Sequence, residues 1–318
     1  MNSEEIEELY SRINRGDRFA LSKAITLVES RNAADQLAAL ELISLTRNEK
    51  RRSHTLAISG APGVGKSSFI EELGLAFINQ KQEVKVAVLA VDPSSVESHG
   101  SILGDKTRMP QLSKSRNAYV RPSPNAGVMG GVGLATYEIS ELCRVAGYNL
   151  ILIETVGAGQ SDIEAKYFAD FLIVLLQPGA GDDLQGIKRG LIELADLLIV
   201  TKHDGALKEA AERTQQAYQA SDANGSARKT VLCSAEDKTG FEDVLVEIKR
   251  LLESTGQRSS QVDREQYRFM ARLKSLAQVS FIDQHKLLID SLRNEIGMGK
   301  LDYLQALQRV VNELKILQ

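Results

Sequence analysis

Residues 55–67 read T-L-A-I-S-G-A-P-G-V-G-K-S, an aliphatic run that breaks abruptly into glycine, proline and lysine. The last eight residues fit G-x-x-x-x-G-K-[ST]. Gly60, Gly65, Lys66 and Ser67 hold the fixed positions, with Ala61, Pro62, Gly63 and Val64 between them. A loop of this kind wraps successive backbone N–H groups around a polyphosphate, and a Cβ at several positions would block that path. Lys66 would neutralise the β- and γ-phosphates. The helix that starts with Ser67 and Ser68 would add the positive end of its dipole, and the Ser67 hydroxyl can ligate magnesium. The amphipathic stretch 68–77 supplies that helix.

Downstream, aliphatic runs at 84–91, 150–154, 171–176, 197–201 and 230–233 alternate with longer amphipathic stretches, as 56–59 does with 68–77. That alternation predicts an α/β fold, a P-loop NTPase with a mostly parallel central sheet flanked by helices on both faces. Ligands of such sheets sit beyond the carboxyl ends of the strands, and the candidate residues fall at those ends. The run 84–91 leads directly into Asp92, a first candidate oxygen ligand for magnesium. The run 150–153 ends in E-T-V-G, where Glu154 can hold a metal-bound water and the Gly157 N–H can reach a γ-phosphate. A single acid after a strand is often only a helix cap. Two at successive strand ends beside a P-loop favour a metal role.

The run 197–200 enters T-K-H-D at 201–204, a form of the [NT]-K-x-D pattern that reads guanine. The Asp204 carboxylate can accept from both N1–H and the 2-amino group of guanine, whereas adenine offers an acceptor at N1 and no 2-amino group. Losing such charge-assisted bonds costs on the order of 1.5–3 kcal/mol, a roughly ten- to hundredfold preference. Lys202 would lie over the base plane. The following strand ends in C-S-A-E, so that Ser234, Ala235 and Glu236 would border the base, with the Ala235 N–H donating to O6.

The 318 residues carry a net charge of only −3, with 25% charged residues, so no global positive field draws nucleic acid or an anionic membrane. The polar, acidic start (Asn2, Ser3, Glu4, Glu5) lacks the chemistry of a signal or transit segment, and apolar runs fall far short of the ~20 residues a membrane helix needs. The expected location is cytoplasmic. Cys143 and Cys233 lack C-x-x-C spacing and read as buried free thiols, and the four histidines form no metal pattern. Residues 1–50 read as an N-terminal helical segment, 51–255 as the P-loop domain, and 256–318 as a C-terminal helical extension. That extension either packs on its own domain or forms a dimerisation arm.

These motifs resemble one family, the MeaB/ArgK-type GTPases, which includes the methylmalonic aciduria type A proteins. The resemblance rests on V-D-P-S-S at 91–95, G-S-I-L-G-D-K-T-R-M at 100–109, R-P-S-P at 121–124, A-G-Y-N-L-I-L-I-E-T-V-G-A-G-Q-S at 146–161 and G-A-G-D-D-L-Q-G-I-K-R-G at 179–190. It implies a GTPase chaperone that binds Mg2+ and GTP or GDP. Such a chaperone gates adenosylcobalamin loading and removal on an acyl-CoA mutase such as methylmalonyl-CoA mutase, with an adenosyltransferase as a further partner and a homodimer built by the C-terminal helices. By the same resemblance Asp92, Asp105 and Glu154 surround magnesium or the attacking water, and 94–109 forms a switch. Residues 177–188 form a second switch, in which Asp182, Gln185 and Lys188 report nucleotide state to the mutase. Lys66, Asp105, Glu154 and Lys188 are the candidate catalytic group.

Thr201 stands where the family usually has asparagine, His203 where it has alanine, and His99-Gly100 where it has a glycine pair. Gly157 is followed by Ala158 rather than the glutamine that orients water in many switch GTPases, so intrinsic hydrolysis should be slow. Two other readings stay open: a transport-associated ATPase or kinase for basic amino acids, and a metallochaperone GTPase for a nickel enzyme.

Overall fold

The computed structural model describes residues 1–30, 32–80, 83–92, 109–124, 131–155, 160–179, 185–221, 229–253, 261–298 and 300–314. Its strands are β1 (His54–Gly60), β2 (Val86–Asp92), β3 (Ala118–Pro124), β4 (Leu150–Glu154), β5 (Phe171–Leu176), β6 (Leu197–Val200) and β7 (Thr230–Leu232). They form one sheet in the order β3-β2-β4-β1-β5-β6-β7, with every pair parallel. The first helices are α1 (Ser3–Asn14), α2 (Arg18–Glu29), α3 (Ala33–Leu45), α4 (Lys66–Gln80), α5 (Pro110–Lys114), α6 (Gly131–Val145) and α7 (Gln160–Glu164). They are followed by α8 (Gln185–Leu194), α9 (Lys208–Ser221), α10 (Phe241–Glu253), α11 (Gln261–Gln284), α12 (Lys286–Gly297) and α13 (Tyr303–Glu313).

Both faces of the sheet are covered, so the middle positions of the inner strands are apolar towards both faces. Ala57, Ala87, Leu89, Ile151, Ile153, Leu172 and Val174 point to one face, where they meet α1, α2, α3 and α6. Leu56, Ile58, Val86, Val88, Leu152, Ile173 and Ile199 point to the other and meet α4 and α10. This is why the strands read as unbroken aliphatic runs rather than as polar–apolar alternation. From β1 the chain crosses to β2 on one side, and from β4 it crosses to β5 on the other. The order reverses at β1, which opens a crevice beyond its carboxyl end.

Strand β3 is absent from the sequence expectation. Its sequence A-Y-V-R-P-S-P holds an arginine and two prolines, which interrupt the aliphatic pattern of a strand. It lies at the sheet edge and pairs only with β2, where a missing proline N–H breaks no inner ladder. Arg121 is held by Glu29 of α2 at 2.7 Å, which fixes the edge to the N-terminal helices. These helices are stopped and started by local chemistry. A capping box at Asn2 and Glu5 opens α1, and the Asp17 carboxylate accepts from Phe19 and Ala20 N–H at the start of α2.

The C-terminal region is helical among its described residues, and α11 docks on the sheet-covering helices. Arg268 lies 3.6 Å over the Tyr137 ring and donates from Nε to Tyr167 O at 3.1 Å. The Tyr267 ring stacks on Tyr167 with centroids 4.1 Å apart. Arg272 faces Glu138 of α6 at 3.6 Å and donates to Gln36 O of α3. No described helix is long and apolar enough to cross a membrane. Cys143 and Cys233 are free and buried, and burial pushes both thiols up to about 12.

Burial also pushes the Glu138 carboxyl from 4.5 up to about 7, against the opposing pull of Arg272. The folded chain thus keeps a proton that the unfolded chain releases. The resulting stabilisation is complete below pH 4.5 and is lost as pH rises to about 7. Glu138→Gln cannot ionise and should flatten this fall in denaturant-unfolding free energy over that window. An unchanged slope would show that the carboxyl is already ionised in the fold.

Candidate functional site

The chain leaves β1 at Gly60 and enters α4 at Lys66, so the five-residue turn between β1 and the helix lies over the crevice. Gly63 and Gly65 have φ of 75° and 98°, left-handed conformations that disfavour any Cβ. Val64 is fully buried and anchors the turn from below. Lys66 is buried too, and its Nζ donates to Gly60 O at 2.9 Å and Ala61 O at 3.2 Å, arching back over the loop. Ser68 is exposed in the first turn of α4.

The Ser67 hydroxyl donates to Glu154 Oε1 at 2.7 Å. Glu154 closes β4, which lies beside β1 with Ile58 opposite Glu154, and the carboxylate is buried at the strand end. A hydroxyl and a carboxylate at this distance form a hard-oxygen donor set that fits magnesium. Asp92 is the last residue of β2, one strand further out, opposite Pro124 of β3. Gln185 and Lys188 lie in the first turn of α8. Asp105, Gly157 and Asp182, and the switch stretches around them, lie outside the described residues, as do the side chains of Asp92, Gln185 and Lys188.

A second set of groups converges from β6 and β7. Thr201 is buried, and its hydroxyl donates to Val64 O at 2.7 Å and Leu176 O at 3.3 Å, joining the end of β6 to the phosphate loop. Lys202 takes a left-handed φ of 56°. The next N–H, of His203, donates to Cys233 O at 3.1 Å, so the loop after β6 is stitched to the loop after β7. The Ser234 hydroxyl donates to Asp204 Oδ2 at 2.5 Å and accepts from Asp237 N at 3.0 Å. It therefore aims the carboxylate. Ala235 is partly buried beside them and Glu236 is exposed. The His203 ring meets Glu212 of α9 at 3.2 Å.

The structure thus gathers Lys66, Ser67 and Glu154 at one end of a crevice, and Lys202, Asp204, Ser234 and Ala235 at the other. Three contacts have no counterpart in the sequence reading: Thr201 to Val64, Ser234 to Asp204, and a 3.0 Å ion pair from Lys238 to Glu72 of α4. Each joins residues far apart in the chain, and the first two involve motif residues whose partners no spacing rule supplies.

Comparisons with known proteins bear on this arrangement. The sequence profile of the family described as "Methylmalonyl Co-A mutase-associated GTPase MeaB" matches residues 21–287. A "Putative GTPase" of Caulobacter vibrioides is 50% identical over 214 residues, which cover 67% of this chain and 65% of that protein. The "Methylmalonic aciduria type A homolog, mitochondrial" of Caenorhabditis elegans is 45% identical over 223 residues, 67% of this chain and 56% of that one. These matches span less than two thirds of either relative's length. "GTPase ArgK" of Escherichia coli is 37% identical over 275 residues, 84% of this chain and 82% of its own. The solved structure of an "LAO/AO transport system kinase" superposes with a TM-score of 0.65 at 26% identity, covering 99% of both chains.

The loop after β7 also contains a steric check on its own geometry. Gly240 has a φ of 78°, and a Cβ there would collide with the Leu232 carbonyl and the Cys233 backbone. Gly240→Ala combines left-handed strain with overpacking. It should lower the denaturant-unfolding free energy by at least about 2 kcal/mol.

Proposed function

This chain belongs to the MeaB family of P-loop GTPases, and on that premise we propose that it binds GTP with magnesium and hydrolyses it slowly to GDP and phosphate. The nucleotide cycle gates adenosylcobalamin loading and removal on, and protects, an acyl-CoA mutase such as methylmalonyl-CoA mutase. The observation that carries the guanine part is the Asp204 carboxylate, held by Ser234 at 2.5 Å on a loop that Thr201 ties to the phosphate turn. A carboxylate held there accepts two hydrogen bonds, from N1–H and the 2-amino group of guanine, and meets a lone pair on adenine.

In this reading Lys66 exchanges the Gly60 and Ala61 carbonyls for β- and γ-phosphate oxygens, which are stronger, charged acceptors. Ser67 and Glu154 hold magnesium, with Asp92 and Asp105 as further oxygen donors. Magnesium, when bound, neutralises charge on the β- and γ-phosphates. Gly157 offers its N–H to the γ-phosphate. Asp105 or Lys188 aligns the attacking water when a partner orders the segments that carry them. Asp182, Gln185 and Lys188 are the residues through which the mutase senses the nucleotide, and an adenosyltransferase is a second partner.

The chain divides into the helical segment 1–50, the GTPase domain 51–255 and the extension 256–318, and works in the cytoplasm. Leu287, Met298 and Leu304 of the extension are 90%, 69% and 59% exposed, which suits a homodimer interface. The name of the solved transport system kinase favours a second reading, a transport-associated kinase or ATPase for basic amino acids. Nucleotide choice separates the two.

Asp204→Asn should weaken GTP binding by about ten- to a hundredfold and shift preference towards xanthosine triphosphate, whose 2-oxo group suits an amide donor. Unchanged discrimination in nucleotide titrations would remove the base assignment, and a preference for ATP would support the kinase reading. Turnover of GTP should rise on adding a cognate mutase. A fast rate that the mutase leaves unchanged would remove the gating role.

A further inference from the structure

Residues 234–239 form a closed loop through reciprocal backbone bonds, Ser234 N to Thr239 O at 3.0 Å and Thr239 N to Ser234 O at 3.1 Å. Ala235, the proposed donor to guanine O6, lies in this loop, and so does Lys238. Lys238 adopts a φ of 56°, and among the described non-glycine residues only Lys202 shares a positive φ. That backbone suits glycine or asparagine, so local conformation gives no reason for lysine. The side chain gives one. Its Nζ lies 3.0 Å from Glu72 Oε1, and the Glu72 side chain is only 17% exposed. Glu72 stands on α4, the helix that begins at Lys66 and carries the phosphate-binding lysine.

We propose that Lys238 and Glu72 form a strap that holds the base-contacting loop at a fixed distance from the phosphate loop, which makes Lys238 a positioning residue for guanine. The inference rests on the guanine reading of Asp204. Two loops build the base site. Thr201 anchors the first to the phosphate turn through Val64 O. The strap anchors the second, which is joined to the first through Ser234 and Cys233. With both anchors in place, Asp204 and the Ala235 N–H face the base from positions set by the same helix and turn that hold the phosphates. The placement is thus fixed before nucleotide arrives, which lowers the ordering cost of binding.

The test is calorimetric titration of the full chain with magnesium, using GDP and, as a probe of the phosphate site alone, inorganic pyrophosphate. Lys238→Gly removes the charge and relieves the left-handed strain while loosening the unfolded chain, so its nucleotide-free melting temperature should stay near that of the parent. Its GDP affinity should fall about two- to fivefold, the scale of a partly screened ion pair, with pyrophosphate affinity unchanged. Glu72→Gln should behave alike, the double variant should be no worse than either single one, and Lys238→Arg should retain GDP affinity. GDP affinity unchanged in Lys238→Gly, or an equal loss for pyrophosphate, would overturn the strap alone. A parent protein that binds ADP as tightly as GDP would overturn the guanine reading, and the strap with it.

Discussion

The hydroxyl of Thr201 donates to the carbonyl of Val64 across 2.7 Å, between two buried residues, and the geometry of the whole crevice depends on that bond. Val64 sits in the turn after β1 and Thr201 directly follows β6, so the contact ties together the two halves of the proposed nucleotide site. Its removal would strand a buried carbonyl, a penalty of about 1–3 kcal/mol. The same hydroxyl also donates to Leu176 O of the neighbouring strand at 3.3 Å.

The sheet makes this contact possible. Parallel strands all deliver their carboxyl ends to one edge, so Gly60, Asp92, Glu154, Thr201 and Cys233 emerge side by side from segments far apart in the chain. This is why so much of the site is legible in one sequence. An aliphatic run marks a strand, and the residues after it are the ones placed over the crevice. The phosphate turn, Glu154 and T-K-H-D all follow that rule. Strand β3 escapes it because Arg121, Pro122 and Pro124 erase the aliphatic signature, and an edge position tolerates them. The side-chain partners escape it for another reason. Ser67 with Glu154, Ser234 with Asp204 and Lys238 with Glu72 are tertiary contacts, and neither period nor spacing encodes which carboxylate a given donor will meet.

The helical ends of the chain are similarly half legible. The apolar periods of α1 and α2 reveal helices and their inner faces, and Ile6, Leu9, Ile13, Leu21, Ala24, Ile25 and Val28 are all buried. The mode of docking of α11 is not visible in its apolar pattern, because polar and aromatic groups do the docking. Arg268 on Tyr137, Tyr267 on Tyr167 and Arg272 on Glu138 place two consecutive turns of α11 against α6 and the 3-10 turn Ala165–Tyr167. The apolar residues of the extension are left largely outside these contacts.

The position of that joint has a mechanical consequence. The turn at 165–167 follows α7, the first helix after the strand that ends in Glu154, so α11 grips a segment close in sequence to the proposed magnesium ligand. Stacked rings and an arginine lying flat on a tyrosine resist sliding more than an aliphatic interface would, since each has a preferred offset and angle. A displacement of the turn would therefore carry α11 with it rather than slip past it. The buried Glu138 works in the opposite sense. Its desolvation makes the ionised form of the Arg272 pair expensive, so the ion pair adds less to the joint than its geometry alone suggests.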